Sequence, residues 1–165
     1  MTISHTELKE WLRYHRRTGL FIWIKSPAHT CIKVGDIAGT WHQPGYINIT
    51  LKGKLYSAHR LAWFYVYGVW PVKLDHRNTI KHHNWIKNLR EATQKQNQYN
   101  VGLRRDSTSG YKGVSQHSSG RWIAKIVFNK KQRHLGCFNT PEEAAARYQL
   151  FAEKICGDFL HKSLK

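Results

Sequence analysis

Between Tyr111 and Leu160 the chain spells out a small sheet backed by a helix. Arg121, Ile123, Lys125 and Val127 alternate with Trp122, Ala124, Ile126 and Phe128, the period of two expected of a strand with one buried face. Tyr111–Gln116 predicts a strand before it and Gln132–Phe138 one after it, with turns at Ser118-Ser119-Gly120 and Asn129-Lys130. Thr140-Pro141-Glu142-Glu143 then reads as a capping box with proline at the first helical position. The Ala-rich helix it opens runs to about Cys156, where Gly157 ends it. Three antiparallel strands and one helix make a sheet-on-helix module over 111–165.

The remainder divides at residues 101–110, Val-Gly-Leu-Arg-Arg-Asp-Ser-Thr-Ser-Gly, a small, polar and basic linker with little to bury. Its Arg104-Arg105 pair can track phosphates or remain solvated. Residues 1–55 predict a small α+β region. Thr2 or Ser4 caps a helix through roughly Tyr14, followed by strands at Leu20–Ile24, Val34–Thr40 and Tyr46–Leu51 and a Lys52-Gly53 turn. In residues 56–100, Leu61, Phe64 and Tyr65 form a helical stripe, and Gly68 and Pro71 stop that helix. A second, polar helix covers approximately Thr93–Tyr99. The fold class is α+β.

Formal net charge is +17, and bases outnumber acids in each of these sections. A basic tail would concentrate that excess; this distribution suits a protein lying along a polyanion over a long footprint. No apolar run approaches the roughly 20 residues of a membrane span, and the N-terminus lacks the pattern of a signal peptide. The expectation is a cytoplasmic protein that does not engage a membrane. Cys31, Cys137 and Cys156 lie at no metal-finger spacing, so no structural zinc is expected.

Residues 74–97 hold the chemistry. Asp75-His76 precede Asn88 and Asn97 in a polar stretch. Hydrolysis of a phosphodiester needs an activated water and neutralisation of the leaving oxygen. An imidazole near its ordinary pKa of about 6.5 can accept a proton at neutral pH, which suits His76 to the role of base. Magnesium takes a few oxygen ligands plus water and substrate phosphate, and Asp75 with the Asn97 amide oxygen meets that need. Adjacent strand residues face opposite ways, so Asp75 and His76 serve one phosphate only if the strand bends. Asn88-Leu89 can equally be a turn and helix cap. A zinc reading of His82-His83 beside His76 has no cysteine partner nearby.

Residues 74–97 resemble the HNH motif of phage homing endonucleases, a ββα-metal fold, through Asp75-His76, Asn88-Leu89-Arg90-Glu91-Ala92-Thr93 and Asn97. His59-Arg60-Leu61 and Trp70-Pro71 extend the likeness. The resemblance implies a nuclease core over 56–100, with His76 as general base. It makes Asn88 the residue that holds the hairpin loop and orients that base, and gives Asp75 and Asn97 a shared Mg²⁺ or Mn²⁺. His59 and Arg60 become a helix start near DNA. Thr79 departs from the family's loop glycine, and His82-His83 from a more typical apolar–acidic pair.

Residues 110–158 resemble the Apetala/ethylene-response-factor DNA-binding domain through Gly110-Tyr111-Lys112-Gly113-Val114, Arg121-Trp122-Ile123-Ala124-Lys125-Ile126, His134-Leu135-Gly136-Cys137-Phe138-Asn139-Thr140 and Pro141-Glu142-Glu143-Ala144-Ala145. That likeness places Trp122, Ala124 and Ile126 against Ala144, Ala145 and Tyr148. It turns Arg121 and Lys125 towards the major groove, with Lys112, Ser115, His117, Gln132 and His134 at other contact positions. Together the two resemblances imply a monomeric, metal-dependent endonuclease that cuts or nicks double-stranded DNA at a chosen site, in a bacterial host cell if phage-encoded. The competing expectation is a non-catalytic, sequence-specific DNA-binding regulator with a decayed nuclease core.

Overall fold

In the computed structural model, residues 3–28, 30–103, 106–129 and 131–160 are described. Ser4 caps α1 (His5–Trp11) in a reciprocal capping box with Glu7. The helix ends before the expected Tyr14, because Leu12 is already extended at φ −133°. Leu12 and Tyr14 are buried with Arg13 exposed between them, so β1 (Leu12–Tyr14) alternates as a strand and pairs antiparallel with β2 (Phe21–Trp23). The short β3 (Ile37–Ala38) completes that sheet.

A second sheet follows, of β4 (Thr40–His42), β5 (Tyr46–Leu51) and β6 (Lys54–Ser57). The single strand expected over Val34–Thr40 is instead broken at Gly39, whose φ of +114° only glycine adopts easily. A Cβ there would sit 2.5 Å from the Ile47 side chain. Strand β4 was therefore not foreseen. Helix α2 (Ala58–Tyr67) ends at Gly68 in the left-handed conformation, as its sequence predicts. Then come β7 (Leu74–His76), a 3₁₀ turn at Ile86–Asn88 and β8 (Leu89–Glu91), with β7 and β8 forming a two-stranded antiparallel ladder. One apolar core, including Leu8, Leu12, Phe21, Trp23, Ile49, Leu61 and Leu89, joins these elements.

Backbone packing separates two compact units, one through Gln94 and one from Lys95 onward. Helix α3 (Gln94–Tyr99) lies almost wholly in the second. There β9 (Val114–Gln116), β10 (Trp122–Phe128) and β11 (Lys131–Phe138) form a three-stranded antiparallel sheet with β10 central. Helix α4 (Pro141–Cys156) packs on it, capped by the Thr140 hydroxyl accepting from the Glu143 amide at 3.2 Å. Trp122, Ala124 and Ile126 share a core with Ala144, Ala145 and Tyr148, as expected. The α+β class holds.

Two details of the second unit depart from simple alternation. β9 begins at Val114 rather than Tyr111, because the Ser109 hydroxyl ties Tyr111 and Val114 carbonyls into a turn. The β10–β11 register shifts between Ala124 and Lys125. Of the face opposite the helix, Arg121 and Val127 are exposed, Lys125 is half-buried and Ile123 is buried.

Candidate active site

The β7–β8 ladder places Asp75 opposite Arg90 and His76 opposite Leu89. Directly opposed residues on a ladder are close enough for their side chains to pair. Arg90 uses this, donating from Nε at 2.8 Å and Nη2 at 2.7 Å to the same Asp75 oxygen, Oδ2. Both residues are buried. All three residues of β7 are buried, so neither face of the strand is open along its length.

His76 is 6% exposed, and its Nε2 lies 3.1 Å from Asn84 Oδ1. With that oxygen towards the ring, Nε2 carries the proton and Nδ1 holds the lone pair. Burial pushes the His76 pKa down. The Asn84 hydrogen bond and the Asp75 charge pull it back up, and His83 and His82 lower it slightly. The downward direction wins, so the imidazole is neutral and able to accept a proton at pH 7.

Asn84 is itself fixed from both sides. Its carbonyl accepts from the Tyr14 hydroxyl at 2.6 Å, and burial raises the Tyr14 pKa, keeping that phenol a donor. Gly19 sits so close that a Cβ on it would lie 2.3 Å from the Asn84 carbonyl carbon and the Trp85 nitrogen. The β1–β2 turn thus braces the residue that orients His76.

Asn88 does a different job. Its Nδ2 donates to Asn78 Oδ1 at 2.9 Å and to the His83 carbonyl at 2.7 Å, and its Oδ1 accepts from the Asn78 amide at 3.1 Å. Asn88 therefore knits the loop between β7 and β8, while the hydrogen-bond partner of His76 is Asn84. Within that loop Thr79 takes φ +62°, a left-handed conformation that a β-branched residue adopts at a cost.

Two further rings face His76. His59, in the first turn of α2, lies 5.3 Å away between centroids, and Tyr46 lies 6.1 Å away. His59 Nδ1 is buried with no hydrogen-bond partner among the described residues. Burial foremost, then the neighbouring His76 and Arg60, pushes its pKa down to about 3. It is neutral, so it adds no competing positive charge when His76 takes up a proton.

The other expected contact residues divide by environment. Arg60 donates to the Pro71 carbonyl at 2.8 Å and the Val72 carbonyl at 3.4 Å, bracing the connection after α2. Lys112 is half-buried and donates to the carbonyls of Tyr99 at 2.9 Å and Val101 at 2.6 Å, fixing the end of α3 within the second unit. Ser115, His117, Arg121, Gln132 and His134 are exposed on or beside β9–β11. Arg121 donates to the Cys137 carbonyl at 3.0 Å, and His134 Nε2 lies 3.7 Å from Cys137 Sγ. Arg104 and Arg105 lie outside the described residues. Asp75 belongs to the first unit and Asn97, half-buried on α3, to the second. Among the described residues no group of three or more His, Cys, Asp or Glu side chains is gathered to hold a metal ion, and no helix is long and apolar enough to cross a membrane.

Residues 56–99 match the HNH endonuclease family. The HNH segment thus contains α2, the β7–β8 hairpin and all of α3, with every residue just described around His76 except Tyr14, Gly19 and Tyr46. The chain is 34% identical over 88 residues to an uncharacterized HNH endonuclease of Acanthamoeba polyphaga mimivirus, covering 53% of this chain and 45% of the viral protein. It is also 41% identical over 81 residues to an ethylene-responsive transcription factor of Arabidopsis thaliana, covering 44% of this chain and 18% of the plant protein. An AP2-like ethylene-responsive transcription factor of Oryza sativa shows the same identity over 81 residues, with 12% of its length covered. The chain therefore spans less than half the length of these relatives. No solved structure gives a significant match. Both resemblances read from the sequence, to HNH endonucleases and to Apetala-like DNA-binding proteins, hold.

Asn84 and Arg90 escaped sequence reasoning. Arg90 carried a usable signal, because a hairpin that places Asp75 in β7 needs a cross-strand cation to bury that carboxylate. Asn84 carried none, lying in a polar loop rich in amides and imidazoles.

Proposed function

We propose that this chain is a metal-dependent DNA endonuclease of the homing type, which nicks or cuts duplex DNA. The observation that carries the reading is the buried, neutral His76 whose Nε2 is held by Asn84 inside the segment matching HNH endonucleases. His76 Nδ1 takes the proton from the attacking water. Asn84 fixes the ring and its tautomer, and Asn88 holds the loop that supplies Asn84. His59 and Tyr46 wall the imidazole from bulk solvent, which keeps it neutral.

Asp75 supplies a carboxylate oxygen and Asn97 an amide oxygen, and hard oxygen ligands of this kind fit Mg²⁺ or Mn²⁺ rather than zinc. The cation, when bound, neutralises charge on the leaving oxygen. The second unit delivers the cutter, with Arg121, Lys125, Ser115, His117, Gln132 and His134 as its DNA-facing residues. A binding-only regulator is favoured by the transcription-factor relatives, but such a protein has no need of a buried base with a braced hydrogen-bond partner.

The chemistry of the cut ends tests the mechanism. Water attack with departure of the 3′ oxygen leaves 5′-phosphate and 3′-hydroxyl ends, so DNA ligase should reseal plasmid nicked by the protein. Nicks that ligase cannot close until a 3′-phosphate is removed would overturn the proposed in-line hydrolysis.

A further inference from the structure

Trp41 stands 59% exposed on β4, a strand with no buried residue. A large exposed aromatic is informative when its surroundings are built. Here they are. The Trp41 ring lies 4.8 Å from that of His82, His82 lies 4.6 Å from His83, and His83 lies 4.7 Å from Trp85. The row is braced from below, since Asn78 Nδ2 donates to His83 Nδ1 at 2.8 Å and Asn88 Nδ2 donates to the His83 carbonyl. Trp41 is thus held against a row of tilted and edge-on rings at little further cost in side-chain freedom.

The row also adjoins the catalytic pocket. Lys81, next to His82, places its ammonium 5.2 Å from the centre of the Tyr46 ring and donates to the Pro44 carbonyl at 3.2 Å. Tyr46 is the ring that faces His76. From Ile37 to Arg90 the sole acidic residue is Asp75, which is buried against Arg90. No carboxylate of this stretch stands beside Trp41 to repel a polyanion. A flat apolar ring in a row that adjoins the Lys81 ammonium fits the stacked bases and phosphates of DNA, because every base presents a π-face.

We propose that the Trp41–His82 edge inserts against the base stack of duplex DNA, unstacking one step beside the phosphate presented to His76. This rests on His76 marking the cutting site, but binding reads it without any cutting. Wedging a side chain into a duplex costs the unstacking of a base step, and the wedge recovers it by stacking on the ring.

Anisotropy with a labelled mixed-sequence duplex, and with the same duplex carrying a single-nucleotide gap, measures the insertion directly in EDTA. The full-length protein is expected to bind the gapped duplex about tenfold more tightly, since the unstacking has already been done. Trp41→Ala is expected to lose that preference, and so is Trp41→Lys, which adds a cation for phosphate but cannot stack. Trp41→Phe should retain most of it. His76→Ala should keep the whole preference, which separates a failure of insertion from a failure of catalysis. No preference in the parent protein overturns the inference. So does a preference that survives both Trp41→Ala and Trp41→Lys, or an equal loss on both duplexes in those variants, which marks a plain surface contact.

Discussion

His76→Ala is expected to slow nicking by about 10²–10⁴-fold in single-turnover assays, the usual contribution of a positioned general base. The loss should appear in the cleavage step and leave DNA affinity almost unchanged, because the imidazole is buried and makes its hydrogen bond to Asn84. The pH profile provides a sharper check. A base works when unprotonated, so the rate should rise with pH through the His76 pKa and then level off. Burial lowers that pKa below its ordinary value of 6.5, so the plateau should already be reached at neutral pH. Asn84→Asp places a carboxylate beside the ring, favours the imidazolium, and should move the rising limb to higher pH. A limb that stays in place in Asn84→Asp would detach the titrating group from His76.

Arg90→Met is expected to destabilise the first unit by about 3–5 kcal/mol, the cost of leaving one partner of a buried ion pair uncompensated. Arg90 and Asp75 are both buried and joined by two hydrogen bonds, so solvent screening offers little relief. Urea unfolding followed by tryptophan fluorescence measures it, because Trp11, Trp23, Trp63 and Trp70 all belong to or pack on that unit's core. The double variant Asp75→Asn/Arg90→Met should recover part of the loss, since no buried charge is then left unpaired. A cost below about 1 kcal/mol, the value of an exposed pair, would show that the pair is hydrated in solution. Any fall in activity of Arg90→Met then reports on how firmly Asp75 is held.

The fold was legible where local signals sufficed. Helix α4 begins and ends where Thr140, Pro141 and Gly157 place it, and β5 matches its apolar run from Tyr46 to Leu51. It was illegible where tertiary pairing overrode local pattern. The apolar stripe of α1 continues into Leu12, yet pairing with β2 draws Leu12–Tyr14 into a strand. Gly39 divides one apparent strand between two sheets, and the exposed Trp41 on the second piece gave no periodic signal. The site follows the same division. Asp75, His76 and Asn88 announce themselves by residue type and spacing, whereas the His76–Asn84 contact depends on how the intervening loop folds back. Arg90 needs the ladder register before its partner can be named.

Incubation of supercoiled plasmid with the full-length protein, in Mg²⁺ and in EDTA, measures whether the chain cuts DNA at all. Nicked circles or linear product should form in Mg²⁺ with the parent protein, while EDTA should stop cleavage and spare the gel shift of bound DNA. A shift with no cleavage in Mg²⁺ or Mn²⁺, on plasmid and on DNA from the encoding genome alike, would leave a DNA-binding protein and contradict the endonuclease.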